Sequence, residues 1–93
     1  MFYVYILKSI KKGRLYIGLT RNVKRRFREH NSGKVISTRS YIPYELIAVE
    51  NFNDKAKARR RELQIKKSGL LRKKFKNMPP SSSPVQDAWF SSM

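Results

Sequence analysis

The segment FYVYILK at residues 2–8 sets the strongest constraint on the fold, because every residue before its final lysine is apolar or aromatic. Aromatic and β-branched residues at this density predict a β-strand. Side chains of a strand alternate between its two faces, so the even-numbered and odd-numbered positions point in opposite directions. Both sets are apolar, which predicts a central strand that is covered on both faces.

A β-hairpin is expected next, because the loop-like SIKKG separates this strand from a second one, RLYIGLT, at residues 14–20. Gly13 can adopt the positive φ that such a loop requires. If Lys8 pairs with Gly13, the same register sets Tyr5 directly opposite Tyr16. That pairing depends on the length of the loop, and a slip of one residue would separate the two phenols.

The rest of the chain alternates between helical patterns and one further strand. The expected elements are a helix over about 22–31 capped by Thr20 or Asn22 and ended at Gly33, a basic loop over 34–43, a strand over 44–52, a helix over 54–67 capped by Asp54, and a short helix over 70–76. This order predicts a small α+β fold in which a three-stranded sheet carries the helices.

The length of 93 residues predicts a single domain. The composition changes at Asn77, where Pro and Ser replace the charged residues. The expected organisation is therefore a folded domain over 1–76 and a disordered tail over 77–93. Trp89 and Phe90 are expected either to be unstructured in that tail or to dock on an apolar patch.

The charge of the chain is a second strong constraint. Lys and Arg number 22 against 6 Asp and Glu, a net charge of +16, and every basic residue precedes Asn77. Such an excess repels itself, which favours a polyanionic partner. Nucleic acid bound through its phosphates is the leading interpretation, and an anionic membrane surface is the alternative.

The composition also excludes several kinds of site. The chain has no cysteine and one histidine, which excludes disulfides, cysteine-based zinc sites and metal cages built from several histidines. The sequence contains no apolar run long enough to span a bilayer and no signal-peptide pattern. A soluble cytoplasmic protein is therefore expected, with a monomer as the default oligomeric state.

Four residues of the first predicted helix share one face, since Val23, Arg26, Phe27 and His30 follow the spacing i, i+3, i+4, i+7. The two apolar residues must face the core, so Arg26 and His30 flank it as neighbours one turn apart. The other cations of the helix, Lys24, Arg25 and Arg28, point outward. Two interpretations stay open: an arginine lying over apolar surface beside a half-buried histidine, or a pair of site residues.

Glu62 is the only acidic residue between Asp54 and the tail, and it lies within RRRELQIKK. One interpretation is a surface ion pair with Arg59 or Lys66, which lie one helical turn away on either side. The other is a metal ligand, because Mg²⁺ binds one or two carboxylates and completes its shell with waters and phosphate oxygens.

Tyr5 and Tyr16 stand out among the tyrosines, because the hairpin can bring them to one face of the sheet. Either can be a core aromatic. A phenol has a pKa of about 10 and is a poor base in water, although nearby cations or a metal would lower that value. Gly18 shares the face of Tyr16, and its missing side chain is expected to let a phosphate or a ligand approach the sheet.

These segments together resemble the GIY-YIG nuclease domain, in the form of small stand-alone bacterial proteins that consist of little else. YVY at residues 3–5 corresponds to the first motif, with Tyr3 in place of its glycine, and YIG at residues 16–18 corresponds to the second. NVKRRFREHNSG resembles the family's helix with its arginine and histidine, and RRRELQIKK the helix with its metal-binding glutamate. The resemblance runs from Phe2 to about Phe75.

The resemblance implies a three-stranded antiparallel sheet flanked by helices and the hydrolysis of a phosphodiester with one divalent ion. The roles it implies are Tyr5 as general base or its relay, Tyr16 as its hydroxyl partner near the scissile phosphate, Arg26 as the group that stabilises phosphate charge, His30 as a hydrogen-bonding or proton-moving group, and Glu62 as the ligand of Mg²⁺ or Mn²⁺. Such an ion would bind weakly without a phosphate present. A further polar site residue has Lys66, Lys67 and Asn77 as candidates, with Lys66 ranked first.

The expected substrate is nucleic acid, with DNA favoured over RNA and structure rather than sequence as its target. The cations expected to contact it are Lys24, Arg25, Arg28, Lys34, Arg39 and Arg59. The alternative is a basic nucleic-acid-binding module that retains the fold without catalysis. A third possibility is a structural adaptor whose Trp89-Phe90 tail docks on a partner.

Overall fold

The computed structural model describes residues 1–77. Within that range one antiparallel sheet contains β1 (Phe2–Ser9), β2 (Leu15–Thr20) and β3 (Tyr44–Phe52) in the order β2-β1-β3. The helices that flank the sheet are α1 (Val23–Asn31), α2 (Lys55–Lys67) and α3 (Gly69–Lys76), and a 3₁₀ turn spans Arg39–Tyr41. The predicted α+β class is confirmed.

The central strand β1 is covered on both faces, as its doubly apolar pattern predicts. Its even-numbered side chains pack against Ala58, Ile65 and Phe75 from α2 and α3. Its odd-numbered side chains pack against Val23 and Phe27 of α1. The helices therefore form two separate layers, with α1 on one face of the sheet and α2 and α3 on the other.

The predicted register of the hairpin is wrong by two residues. Tyr5 lies opposite Gly18 rather than Tyr16. The reason lies in Ser9, which remains in β1 because its buried hydroxyl donates to the Tyr41 carbonyl at 2.6 Å. Gly13 then belongs to the turn, with a φ of 67°. A two-residue shift keeps every side chain on its predicted face, so the two phenols become diagonal neighbours.

Side chains cap each α-helix at its start, as local sequence patterns predict. Asn22 rather than Thr20 caps α1, because its Oδ1 accepts from the backbone N–H of Arg25 at 3.0 Å. Asp54 caps α2 in the same way. Gly33, at a φ of 81°, follows the end of α1 in the left-handed conformation that the sequence predicts there.

No helix within residues 1–77 is both long enough and apolar enough to cross a membrane. The prediction of a disordered tail over 77–93 falls, apart from Asn77, outside the described residues. The same holds for the two alternatives at Trp89 and Phe90.

Candidate active site

Gly18 is required by its neighbour across the sheet. Tyr5 pairs with Gly18, and a Cβ placed on Gly18 would overlap the phenol hydroxyl and come within 2.8 Å of Cε1 of the ring. The space over Gly18 is therefore filled by the chain's own tyrosine. The expectation that a phosphate approaches the sheet there is wrong, because only 1% of Tyr5 is exposed.

The Tyr5 phenol reaches across the α1 layer to His30. Its hydroxyl lies 3.0 Å from Nε2 of the imidazole. His30 is fully buried rather than half-buried, since the last turn of α1 places it between the sheet and the loop that follows. The Tyr16 ring packs 4.5 Å from the His30 ring and 6.1 Å from the Tyr5 ring, centroid to centroid.

Arg26 completes this group, because its guanidinium interacts with the Tyr5 and Tyr16 phenols. It also forms an ion pair with Glu29 at 3.2 Å, and about a third of its side chain (36%) remains exposed. The structure thus brings Tyr5, Tyr16, Arg26 and His30 together. Their side chains make one connected cluster on the α1 face, in which Arg26 and Tyr16 are the partly exposed members.

Thr38 is a member of the cluster that sequence reasoning missed. Its Oγ1 lies 2.9 Å from Nδ1 of His30 and 3.4 Å from the Val35 carbonyl, and the residue is buried. The hydroxyl can donate to the carbonyl while accepting from Nδ1–H. That arrangement leaves Nε2 as the acceptor for the Tyr5 O–H. The loop sequence gives no signal of this role, because only the fold brings Thr38 against His30.

Burial and nearby charges keep the two fully buried titratable side chains of the cluster, Tyr5 and His30, neutral. Burial, reinforced by the charge of Arg26, lowers the pKa of His30 to about 4, against a smaller opposing effect of Glu29. Burial, reinforced by Tyr16, raises the pKa of Tyr5 well above its usual value of 10, while Arg26 opposes the rise. At neutral pH the phenol therefore keeps its O–H, and the imidazole has one donor and one acceptor nitrogen.

Arg26 stays protonated in this cluster. Partial burial acts to lower its pKa, but the hydrogen bonds to Tyr5 and Glu29 outweigh that effect and raise it. A guanidinium that is anchored on one side and partly exposed on the other can contact an incoming phosphate.

Glu62 lies in the layer of α2 and α3, on the face of the sheet opposite α1. It lies on α2, one turn after the buried Ala58, and turns away from Arg61, which pairs with Glu50 of β3 at 2.8 Å. Its partner Lys66 lines a cleft along β2, so Glu62 lies on the β2 side of α2. Within residues 1–77 no hydrogen bond or ion pair joins Glu62 to the α1-face cluster, so its membership of the site stays a prediction.

Lys66 is the partner of Glu62, at 3.4 Å, which agrees with the ion-pair interpretation. Lys66 also lines a cleft at the free edge of β2, and Tyr16 lines the same cleft. This edge is where the two layers of the protein meet.

The donor set at Glu62 is compatible with one hard cation. No group of three or more His, Cys, Asp or Glu side chains within residues 1–77 could hold a metal by itself. Mg²⁺ does not require such a group, because one carboxylate with waters and substrate phosphate oxygens completes its shell. Only 16% of the Glu62 side chain is exposed, so its carboxylate is shielded without being enclosed.

The predicted nucleic-acid contacts do not form one surface. Arg25, Arg28 and Lys34 line a second cleft beside α1, together with the acidic Glu29. Arg59 lies on α2, across the sheet from them. The remaining predicted contacts are Lys24 on α1 and Arg39 in the 3₁₀ turn.

Comparisons with known proteins find similar sequences over most of this chain. The family model of the GIY-YIG catalytic domain matches residues 1–76. A UPF0213 protein of Natronomonas pharaonis is 42% identical over 72 residues, which are 76% of this chain and 84% of that protein. A UPF0213 protein of Cupriavidus necator is 33% identical over 87 residues, 91% of this chain and 94% of its own length.

A solved structure is similar as well. The solution NMR structure of a UPF0213 protein from Bacillus halodurans is 38% identical in sequence, with a TM-score of 0.50 over 80% of each chain.

Proposed function

The chain belongs to the GIY-YIG family, and from that premise we propose that it is a divalent-metal-dependent endonuclease acting on DNA. The observation that carries this proposal is the connected cluster of Tyr5, Tyr16, Arg26 and His30. A buried tyrosine–histidine pair, reached from the surface through a second tyrosine and an arginine, has the parts needed for hydrolysis of a phosphodiester.

The proposed proton path begins at Tyr16, the partly exposed tyrosine. The Tyr16 ring lies 6.1 Å from the ring of the buried Tyr5, centroid to centroid, and the Tyr5 hydroxyl lies 3.0 Å from Nε2 of His30. The attacking water gives its proton to the Tyr16 oxygen, Tyr16 gives its own proton to Tyr5, and Tyr5 gives its own to Nε2, so both phenols end neutral and the imidazole becomes cationic. Tyr5 is then a relay rather than the group that contacts water, because it is buried and its raised pKa opposes direct ionisation.

Arg26 is proposed to stabilise the charge that develops on the phosphoryl oxygens. Its guanidinium is held by Tyr5 and Glu29, so little reorganisation is needed when a phosphate arrives. Glu62 would hold one Mg²⁺ or Mn²⁺, and such an ion supplies further charge stabilisation at the phosphate. For Glu62 to do so, Lys66 must release the carboxylate that it now pairs with.

The test is a cleavage assay on branched, single-stranded and duplex DNA with Mg²⁺ or Mn²⁺. We expect Arg26→Ala and Glu62→Ala each to lower the rate at least about a hundredfold, the scale on which charge-stabilising groups act. Arg60→Ala is the matched control, because it removes an exposed arginine from the outward side of α2. Equal rates in all variants would identify a contaminating nuclease and contradict the proposal.

A non-catalytic nucleic-acid-binding module is the second candidate. Within residues 1–77 no hydrogen bond or ion pair joins Glu62 to the α1-face cluster, and this favours the second candidate, since a site without its metal ligand would bind a phosphate and not cleave. The same assay decides between the two, because the wild-type protein would then bind all three DNA forms and cleave none of them.

A further inference from the structure

A cationic cleft of about 550 Å³ runs along the free edge of β2 and under α2 and α3. Five of its ten lining residues are basic and none is acidic, namely Arg14, Lys66, Arg72, Lys73 and Lys76. The cleft beside α1, by contrast, contains the carboxylate of Glu29 among its cations. No carboxylate therefore lines the β2-edge cleft, and within residues 1–77 only Lys66 of its five cations forms an ion pair, with Glu62.

The floor of the β2-edge cleft adds backbone donors to these side chains. Leu15, Tyr16 and Ile17 line it, and β2 pairs with β1 alone within residues 1–77. The outer backbone groups of β2 therefore face the cleft without a strand partner. The cleft is also open, since a Cβ at Gly69 would meet nothing within 4 Å.

The repetition of cations along an extended edge favours a chain of regularly spaced anions over a single small ligand. A peptide strand that paired with the edge would bring no such charge. Of the predicted site and binding residues, only Tyr16 and Lys66 line this cleft. Tyr16 belongs both to the cleft and to the α1-face cluster, so an occupant of the cleft would reach the proposed proton path.

We propose that the β2-edge cleft binds the phosphodiester backbone of one nucleic-acid strand and leads it to Tyr16. This inference rests on the proposed function, since the end of the cleft at Tyr16 is also part of the proposed active site. Recognition occurs through phosphates and not base edges, so the cleft binds without regard to sequence.

The first experiment places one charge in the cleft at Gly69. Gly69 begins α3, where an acidic side chain favours the helix and no neighbour obstructs it. Gly69→Glu is compared with Gly69→Gln, which has the same size and no charge. We expect Gly69→Glu to weaken binding of a fluorescent single-stranded oligonucleotide, without divalent ions, by about fivefold to tenfold more than Gly69→Gln.

The second experiment removes cations and measures the dependence of affinity on salt. Arg72→Gln/Lys73→Gln should lower the slope of log affinity against log salt by about 1.4, corresponding to two phosphate contacts on a single strand. Lys57→Gln/Arg60→Gln is the control, since both residues are exposed on α2 and neither lines the cleft. Equal effects of the two double variants would overturn the inference and indicate a diffuse positive field.

These binding measurements are independent of cleavage. If the cleft variants bind weakly while the wild-type protein never cleaves, the cleft proposal holds and the nuclease proposal fails. If cleavage occurs and Arg72→Gln/Lys73→Gln leaves both affinity and salt slope unchanged, the nuclease proposal holds and the cleft proposal fails.

Discussion

At the scale of single residues, the site depends on which nitrogen of His30 carries its proton. We assign the proton to Nδ1, with the Thr38 hydroxyl as its acceptor and Nε2 as the acceptor of the Tyr5 O–H. His30 and Thr38 are both buried, so water cannot replace either of them as the hydrogen-bond partner of the other. The tautomer is thus set by one buried hydroxyl in the loop after α1.

We expect Thr38→Val to leave the Nδ1–H of His30 without an acceptor. A buried donor left unpaired costs about 1–3 kcal/mol in the free energy of unfolding. Cleavage should fall by about tenfold to a hundredfold, because a ring that turns or changes tautomer no longer accepts from Tyr5.

The measurements are urea unfolding, the cleavage rate, and the nitrogen chemical shifts of the imidazole, which report the tautomer directly. Thr38→Ser keeps the hydroxyl and serves as the control, with all three quantities near their wild-type values. A wild-type spectrum with the proton on Nε2 would contradict the assigned direction of the hydrogen bonds.

At the scale of elements, the pairing of β1 with β2 decides what the glycine of the YIG segment does. The register sets Gly18 under the Tyr5 ring, where a side chain has no room. The glycine therefore serves the chain's own packing and not the approach of a substrate.

Gly18→Ala is expected to lower the free energy of unfolding by about 1–3 kcal/mol, because the added methyl group forces the buried Tyr5 ring to move. The displaced phenol should also lose its hydrogen bond to His30. Gly69→Ala is the matched control, since a Cβ there meets no neighbour and alanine favours the helix. The measurement is urea unfolding of both variants, and equal stabilities would show that the sheet absorbs the methyl group freely.

Local patterns predicted most elements because their causes are local. The third strand covers 44–52 as predicted, and Asp54 caps α2 where its position before a basic helical segment suggests. The hairpin register was not predictable in this way. It depends on Ser9, which is held in β1 by a carbonyl 32 residues along the chain.

The candidate site was predictable in its residues but not in its depth. Spacing placed Arg26 and His30 together on one face of α1, and the resemblance to the family supplied their roles. The full burial of His30 and the presence of Thr38 follow from how the loop after α1 folds back over the sheet. No period or motif in the sequence encodes that contact.

At the scale of the whole molecule, the surface carries a large positive charge while the buried His30 carries none at neutral pH. The exposed cations give the chain a net charge of +16, while the buried imidazole is kept neutral. The folded protein therefore binds a proton at His30 less readily than the unfolded chain does.

This difference predicts a stability that depends on pH. Unfolded His30 binds a proton at its ordinary pKa of 6.5, but folded His30 does so at about 4. Between these values the unfolded state binds more protons, so stability falls as pH is lowered. The free energy of unfolding should decrease by about 2 kcal/mol from about pH 7.5 to about pH 5, above the range where most carboxylates titrate.

Urea unfolding at a series of pH values measures the decrease. An NMR titration of the imidazole in the wild-type protein is the independent check, and its midpoint should lie well below the ordinary value. A midpoint near 6.5 would contradict the assigned burial and its effect on the proton.

The division between a buried relay and a surface cleft has a consequence for how this protein can change. Tyr5, His30 and Thr38 are part of the core as well as of the proposed chemistry, so replacing any of them alters folding and reactivity at once. The cations of the β2-edge cleft are exposed, and apart from Arg14, which packs on the Tyr41 ring, they can vary at little cost in stability. Preference among substrates can therefore drift while the reaction stays the same.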